Sequence, residues 1–354
     1  MHAPLYTSLD DALDEIAPYD MALANGNSNH APMVAEALCA LGRPDAVMPW
    51  VARYRERMQA RPASREKIGD EDWRCALGRR ERFADWAVFF AAELADAPWP
   101  TVLDRWVGRL APGFCAAATH GPIRVGHAVR GLAERETMSR RRELADALAS
   151  WAAAWQTLPA GGAADEPGAL RPRQAIPRVP VVPTARRLPG NIVAALAALA
   201  DFPEFGRAVG MIDASGPPAP LVAELTDVFA RVYLANARDI PTTIAFIHAV
   251  TSHAALGNLL PYVGEETART ALWHAWQAGC GLYACYGGGT AIVETVEPCP
   301  KQVAELADQA VAHGDEHVIK FTEACLSRDR IAASPAYRAA ADHVAGMVRP
   351  RRPG

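Results

Sequence analysis

Gly314-Asp315-Glu316-His317-Val318-Ile319-Lys320 runs on into Phe321 to Cys325 with a helical pattern of apolar positions. Read as helix, it puts His317 and Lys320 three apart on one face and turns Val318 and Ile319 toward a core. An imidazole and an ammonium thus enter an apolar setting together. Burying an unpaired ammonium is costly, so three outcomes are open for Lys320. It pairs with a carboxylate such as Glu323 or Asp315, it loses its proton through a shifted pKa, or it takes up carbon dioxide and becomes an anionic carbamate ligand.

The same 3.6-residue period recurs on both sides of this stretch. Upstream, Ser8 is placed to cap Leu9 to Ile16, and Pro32 falls in the first turn of a helix that begins at Asn29 or His30. Gly42-Arg43-Pro44-Asp45 ends that helix and opens another to about Arg61. Arg82 to Leu94, Val102 to Leu110, Ile123 to Ala133 and Arg140 to Trp155, the last behind Ser139, read as further helices. Downstream of residue 189, helices are expected near Gly190–Ala200, Pro203–Met211, Pro218–Asn236, Thr242–Ala255, Gly264–Gly281, Pro300–His313 and Pro335–Met347. Strand signals are scarce, with Val179 to Val182 and Ala291 to Val296 the candidates. The expected architecture is all-α, a single large helical domain built as a multi-helix bundle with a long Pro/Gly-rich loop. Residues 1–158 form an N-terminal helical half and 159–189, with seven prolines, the loop or linker. Residues 190–347 form a C-terminal half packed on the first, and 348–354 a loose basic tail.

Bulk properties narrow the function. The 354 residues are 50% hydrophobic with a formal charge of -4, which gives no basic field to draw nucleic acid. Asp10, Asp11, Asp14, Glu15 and Asp20 argue against a secretory leader, and the longest apolar run, Ile192 to Ala200, is too short to span a bilayer. Seven cysteines without a Cys-x-x-Cys pair read as reduced residues of a cytoplasmic protein. Tyr286-Gly287-Gly288-Gly289 lacks the strand-turn-helix context of a dinucleotide site.

The histidines carry the chemistry. Six of ten occur in pairs or beside helix starts: His30, His120 with His127, His248 with His253, and His317. His120 and His127 share a face but lie roughly 10 Å apart along a helix axis, and His248 and His253 point to different sides. One ion would therefore draw single imidazoles from several helices, as in helical bundles. His313 and His317 have the spacing of a helical metal pair, weakened by Gly314. A histidine facing a core alone is more often a hydrogen-bonded packing residue than a ligand. No His-Glu-x-x-His or di-iron Glu-x-x-His motif occurs.

Taken in order, Asn29-His30-Ala31-Pro32-Met33, Thr119-His120-Gly121-Pro122-Ile123-Arg124 with Gly126-His127-Ala128, His248-Ala249-Val250-Thr251, and Asp315-Glu316-His317-Val318-Ile319-Lys320 resemble the questin oxidase-like family across residues 25 to 325. Met33 stands where many relatives have a second histidine, and His127 where they often have tyrosine. The resemblance implies a helical oxygenase that opens, or inserts oxygen into, the ring of an aromatic polyketide such as a hydroquinone or anthraquinone. It also implies non-haem Fe(2+) with dioxygen as co-substrate, held by His30, His120, His248, His317 and a carbamate formed from carbon dioxide on Lys320. Trp86, Phe89, Phe90, Trp273, Trp276, Tyr283 and Tyr286 are candidates to line a flat slot, or ordinary packing residues. His127 and His253 are candidates for proton transfer, and Arg124 for holding a phenolate. The partner expected is a small aromatic substrate, not nucleic acid or a membrane, with a homodimer left open. Two alternatives stand beside this reading: an NADPH-dependent Baeyer–Villiger-type monooxygenase, with or without flavin, and a metal-free helical scaffold or binding protein.

Overall fold

The computed structural model describes residues 6–69, 71–159, 168–187 and 190–351. Among the described residues, seventeen α-helices, eight short 3-10 helices and one two-stranded sheet make up the regular structure. Four helices matter most: Ala31–Ala40, His120–Glu134, Ile240–Leu259 and Glu316–Ile331. Each packs on two of the others, closing a ring that takes two helices from each half of the chain.

Local chemistry explains why these helices start where they do. Pro32 lies in the first turn of Ala31–Ala40, where its missing N–H is no loss. Asp239 caps Ile240–Leu259 through the Thr242 N–H at 2.9 Å. Gly126 lets His120–Glu134 approach Ile240–Leu259 closely, since a Cβ there would meet the Ala255 backbone at 2.9 Å. The Ile240–Tyr262 stretch is long and apolar enough to cross a bilayer, but 78% of it is buried against other helices. The Met138–Ala153, Pro218–Asn236 and Glu265–Tyr286 helices pack around the ring.

Several expectations shift. Thr137, not Ser139, caps Met138–Ala153. The helix after Pro44 stops at Tyr54, and Met58–Ala60 pairs antiparallel with Tyr19–Leu23. The two proposed strands are absent because their backbones bond to helices instead. Val182 N–H donates to the Ala284 carbonyl, and the Val293 and Glu294 carbonyls accept from the Arg231 guanidinium. The 159–189 loop holds a short helix, Pro172–Ala175, and Leu170 bridges to Ile212. Residues 160–167, 188 and 189 of that loop lie outside the described residues, as do 352–354 of the tail. The tail is not loose at Val348 to Arg351: it is tied to His313 by backbone and side-chain hydrogen bonds.

Candidate metal centre

The helix ring brings four histidines to one point. His30 is the N-cap of Ala31–Ala40, His120 opens His120–Glu134, His317 is second in Glu316–Ile331, and His248 projects from mid-helix in Ile240–Leu259. His120 lies with its ring 4.6 Å from both His30 and His248, and His317 lies 4.7 Å from His30 and 5.7 Å from His248. The His120 Nε2 is 2.9 Å from the His30 Nε2 and 3.3 Å from the His248 Nε2. One carboxylate joins them: His30, Glu316 and His317 each offer a ligand atom within 4.8 Å of the other two.

A strained approach sets His120. Ala117, Ala118 and Thr119 all have left-handed backbones, with φ of 48, 59 and 70°. Non-glycine residues adopt this at a cost of order 1 kcal/mol each, a kind of strain that gathers at functional sites. The resulting turn lets the His120 Nδ1–H donate to the Ala117 carbonyl at 2.6 Å. That fixes the tautomer, so Nε2 presents a lone pair toward its two neighbours. His317 is oriented likewise, with Nδ1 3.3 Å from the Asp315 carboxylate.

These donors fit a cation. Burial, then the charge of Lys320, drives the His30 and His120 pKa values far down. Burial and the neighbouring His120 do the same for His248. All three are neutral imidazoles, the form that binds metal. Nitrogens about 2.1 Å from one ion are about 3.0 Å apart at right angles and about 3.4 Å apart in a tetrahedron, matching the observed spacing. The His120 lone pair cannot serve two N–H donors well, whereas a cation would take one lone pair from each ring. The buried His30 Nδ1 has no partner.

Lys320 stands beside this cluster, 1% exposed. Its ammonium contacts the Met33 sulfur at 3.8 Å. Among the described residues no carboxylate pairs with it: Glu323 binds Arg130, and Asp315 binds His317 and Arg351. The salt-bridge outcome is therefore absent, and burial lowers its pKa to about 8. Three helix N-termini also point into the site, and their positive ends oppose a cation unless anionic oxygen accompanies it. Glu316 supplies one such group, held by Arg57 and Arg351.

A cavity of about 400 Å³ opens on His30, His120, His248, His317 and Glu316. Ile192, Val193, Ile240 and Ile244 line one part of it and Asn27, Ser28 and Asn191 another, and Tyr286 is the one slot candidate that reaches it. Trp86, Phe89 and Phe90 instead pack with Trp106 in the core, and the Trp276 indole bonds to the Val209 carbonyl. Trp273 and Tyr283 pack in the core as well. The three proton-transfer and phenolate candidates lie outside the cavity lining. His127 pairs with Glu36 at 2.6 Å, His253 stacks on Phe229, and both forks of Arg124 bind Glu143 at 2.7 and 2.8 Å. Helix faces that sequence left open decide this. The guanidinium groups that do face the cavity are Arg57 and Arg80. Arg57, Arg351 and the role of Glu316 were missed, because their pairings span 259 and 35 positions that no local motif connects.

Comparison with known families agrees with the resemblance of the ordered histidine blocks. Residues 27–165 match the questin oxidase-like family. The matched span holds His30 and His120, and the helix ring adds His248, His317 and Lys320 from beyond it. The family takes its name from an oxidase, and the match spans less than half of the chain. No curated protein matches the sequence.

Proposed function

We propose that this questin oxidase-like chain is a non-haem iron oxygenase that cleaves a ring C–C bond of a reduced aromatic polyketide. The observation that carries the reading is the triplet of neutral imidazole nitrogens 2.9 and 3.3 Å apart against a partly aliphatic cavity. His30, His120, His248 and His317 are the imidazole ligands, and Lys320 the fifth, as a carbamate. Imidazole and hard anionic oxygen together suit Fe(2+). Carbamate formation joins the neutral Lys320 amine to carbon dioxide and releases one proton, and a pKa near 8 keeps neutral amine accessible at neutral pH.

Iron supplies dioxygen activation. The protein supplies position and dryness. A flat ring enters between Ile240, Ile244, Ile192 and Val193, with room for further rings in the adjoining chamber of about 570 Å³ that shares Gly190, Pro241 and Tyr286. Arg80, at the mouth and bonded to the Gly26 carbonyl, takes the place first given to Arg124 as the cation for a phenolate oxygen. A hydroquinone or anthrone carries the electrons itself, so incorporation of both oxygen atoms needs no nicotinamide.

The test is metal analysis of protein purified without chelators, with oxygen uptake on an anthrahydroquinone. About one iron per chain and uptake abolished by chelation are expected. Full activity in metal-free protein, or dependence on NADPH alone, would overturn the proposal.

A further inference from the structure

The C-terminal tail ends its described course on the carboxylates that frame the histidine cluster. Asp315 and Glu316 are adjacent in sequence and only 4% and 3% exposed. Two neighbouring buried carboxylates repel unless cations hold them. One guanidinium holds both: Arg351 Nε donates to Asp315 Oδ2 at 3.0 Å, and Arg351 Nη2 donates to Glu316 Oε1 at 3.2 Å. Arg57 reaches the same Glu316 oxygen at 3.1 Å.

The far oxygen of Asp315 does the orienting. Asp315 Oδ1 accepts the His317 backbone N–H at 2.9 Å and faces the His317 Nδ1 at 3.3 Å. Arg351 on one oxygen therefore fixes the carboxylate plane whose other oxygen sets the His317 ring.

The tail is built to stay. Arg351 N–H donates to the His313 carbonyl at 2.9 Å, and the His313 Nε2–H donates to the Val348 carbonyl at 2.9 Å. Gly314, at φ +76°, passes so close that a Cβ would stand 2.7 Å from the Arg351 carbonyl. The Trp50 indole braces the same turn through the Gly314 carbonyl at 2.8 Å.

We infer that Arg351 is a positioning residue for the metal centre: the tail clamps Asp315 and Glu316, and through them orients His317 and places an anionic group beside the cation. The inference rests on the metal-centre reading above. Partners of metal-bound imidazoles typically set metal affinity ten- to a hundredfold.

The test is titration of chelator-stripped protein with cobalt(II), followed by its visible absorption. Arg351→Ala and a chain ending at Met347 should both bind at least about tenfold more weakly than wild type. Arg351→Met, which keeps the stem and removes the charge, should bind as weakly as Arg351→Ala, and Arg351→Lys, which keeps a charge beside Asp315 and Glu316, should recover part of the affinity, all compared well below their metal-free melting temperatures. Unchanged affinity in Arg351→Ala, wild-type affinity in Arg351→Met, or no recovery in Arg351→Lys would each overturn the clamp. Failure of wild type itself to bind cobalt would instead sink the metal-centre reading.

Discussion

Replacing Lys320 by methionine should make the metal-free protein more stable while removing its metal. The ammonium is buried, has no carboxylate partner and sits at a pKa of about 8 against an ordinary 10.5. Each pKa unit is about 1.4 kcal/mol, so the folded state carries a penalty of order 3 kcal/mol wherever the amine is charged. Methionine fills a similar volume and leaves nothing to desolvate. At about 2.1 cal/mol/K per residue, unfolding this chain changes entropy by about 0.7 kcal/mol/K. The gain therefore amounts to a rise of about 4 °C in melting temperature. The sign with pH follows from linkage. Below about pH 8 the lysine is protonated folded and unfolded, and the whole penalty applies. Between 8 and 10.5 the unfolded chain holds the extra proton, so wild-type stability rises with pH and the advantage of Lys320→Met shrinks to nothing. Calorimetry of chelator-stripped wild type and variant from pH 7 to 10.5 measures this. A variant that melts below wild type at pH 7, or a difference that ignores pH, would refute the reasoning. With iron and bicarbonate added, the order should invert, because only wild type gains the bound ion.

Three further outcomes follow from contacts around the ring. Arg124→Met leaves Glu143 charged and unpaired in the interior, so the protein should lose about 3–5 kcal/mol of stability while its metal stoichiometry, read by elemental analysis, stays unchanged. Ala118→Gly relieves a left-handed residue, so its melting temperature should match or exceed wild type, whereas Ala149→Gly in the middle of Met138–Ala153 should cost about 1 kcal/mol. Against burial, Arg130 and His127 hold the Glu36 pKa down to about 2 from 4.5. That stability is complete above pH 4.5 and is lost as pH falls toward 2, so acid titration of Glu36→Gln should lack the wild-type decline in this window.

Much of the fold was legible because proline and cap chemistry mark helix ends locally. Pro218–Asn236 and Pro335–Met347 were read to the residue, each with proline at its first helical position. The short pairing of Tyr19–Leu23 with Met58–Ala60 carried no alternating pattern, since its register is broken by an irregularity. The break before His120 was legible beside Gly121-Pro122, but its geometry was not: nothing in three successive alanines and a threonine announces that two of those alanines and the threonine are left-handed. The convergence of four histidines was legible only through their order in a family pattern, as spacing gives no angle between distant helices. Aromatic residues misled for the same reason, since period 3.6 reveals an apolar face but not which neighbour covers it.

The ring of helices has a bearing on how the protein is made. Met33 and Lys320, which touch across the site, are 287 positions apart. At about 5–20 residues per second, the ribosome takes roughly 15–60 s to deliver the second after the first. During that interval the emerged half exposes His30 and His120 on helices whose partners do not yet exist. On the proposed iron reading, capture of the ion waits until Glu316–Ile331 closes the circle, and a stalled or shortened product would be released without a finished cage.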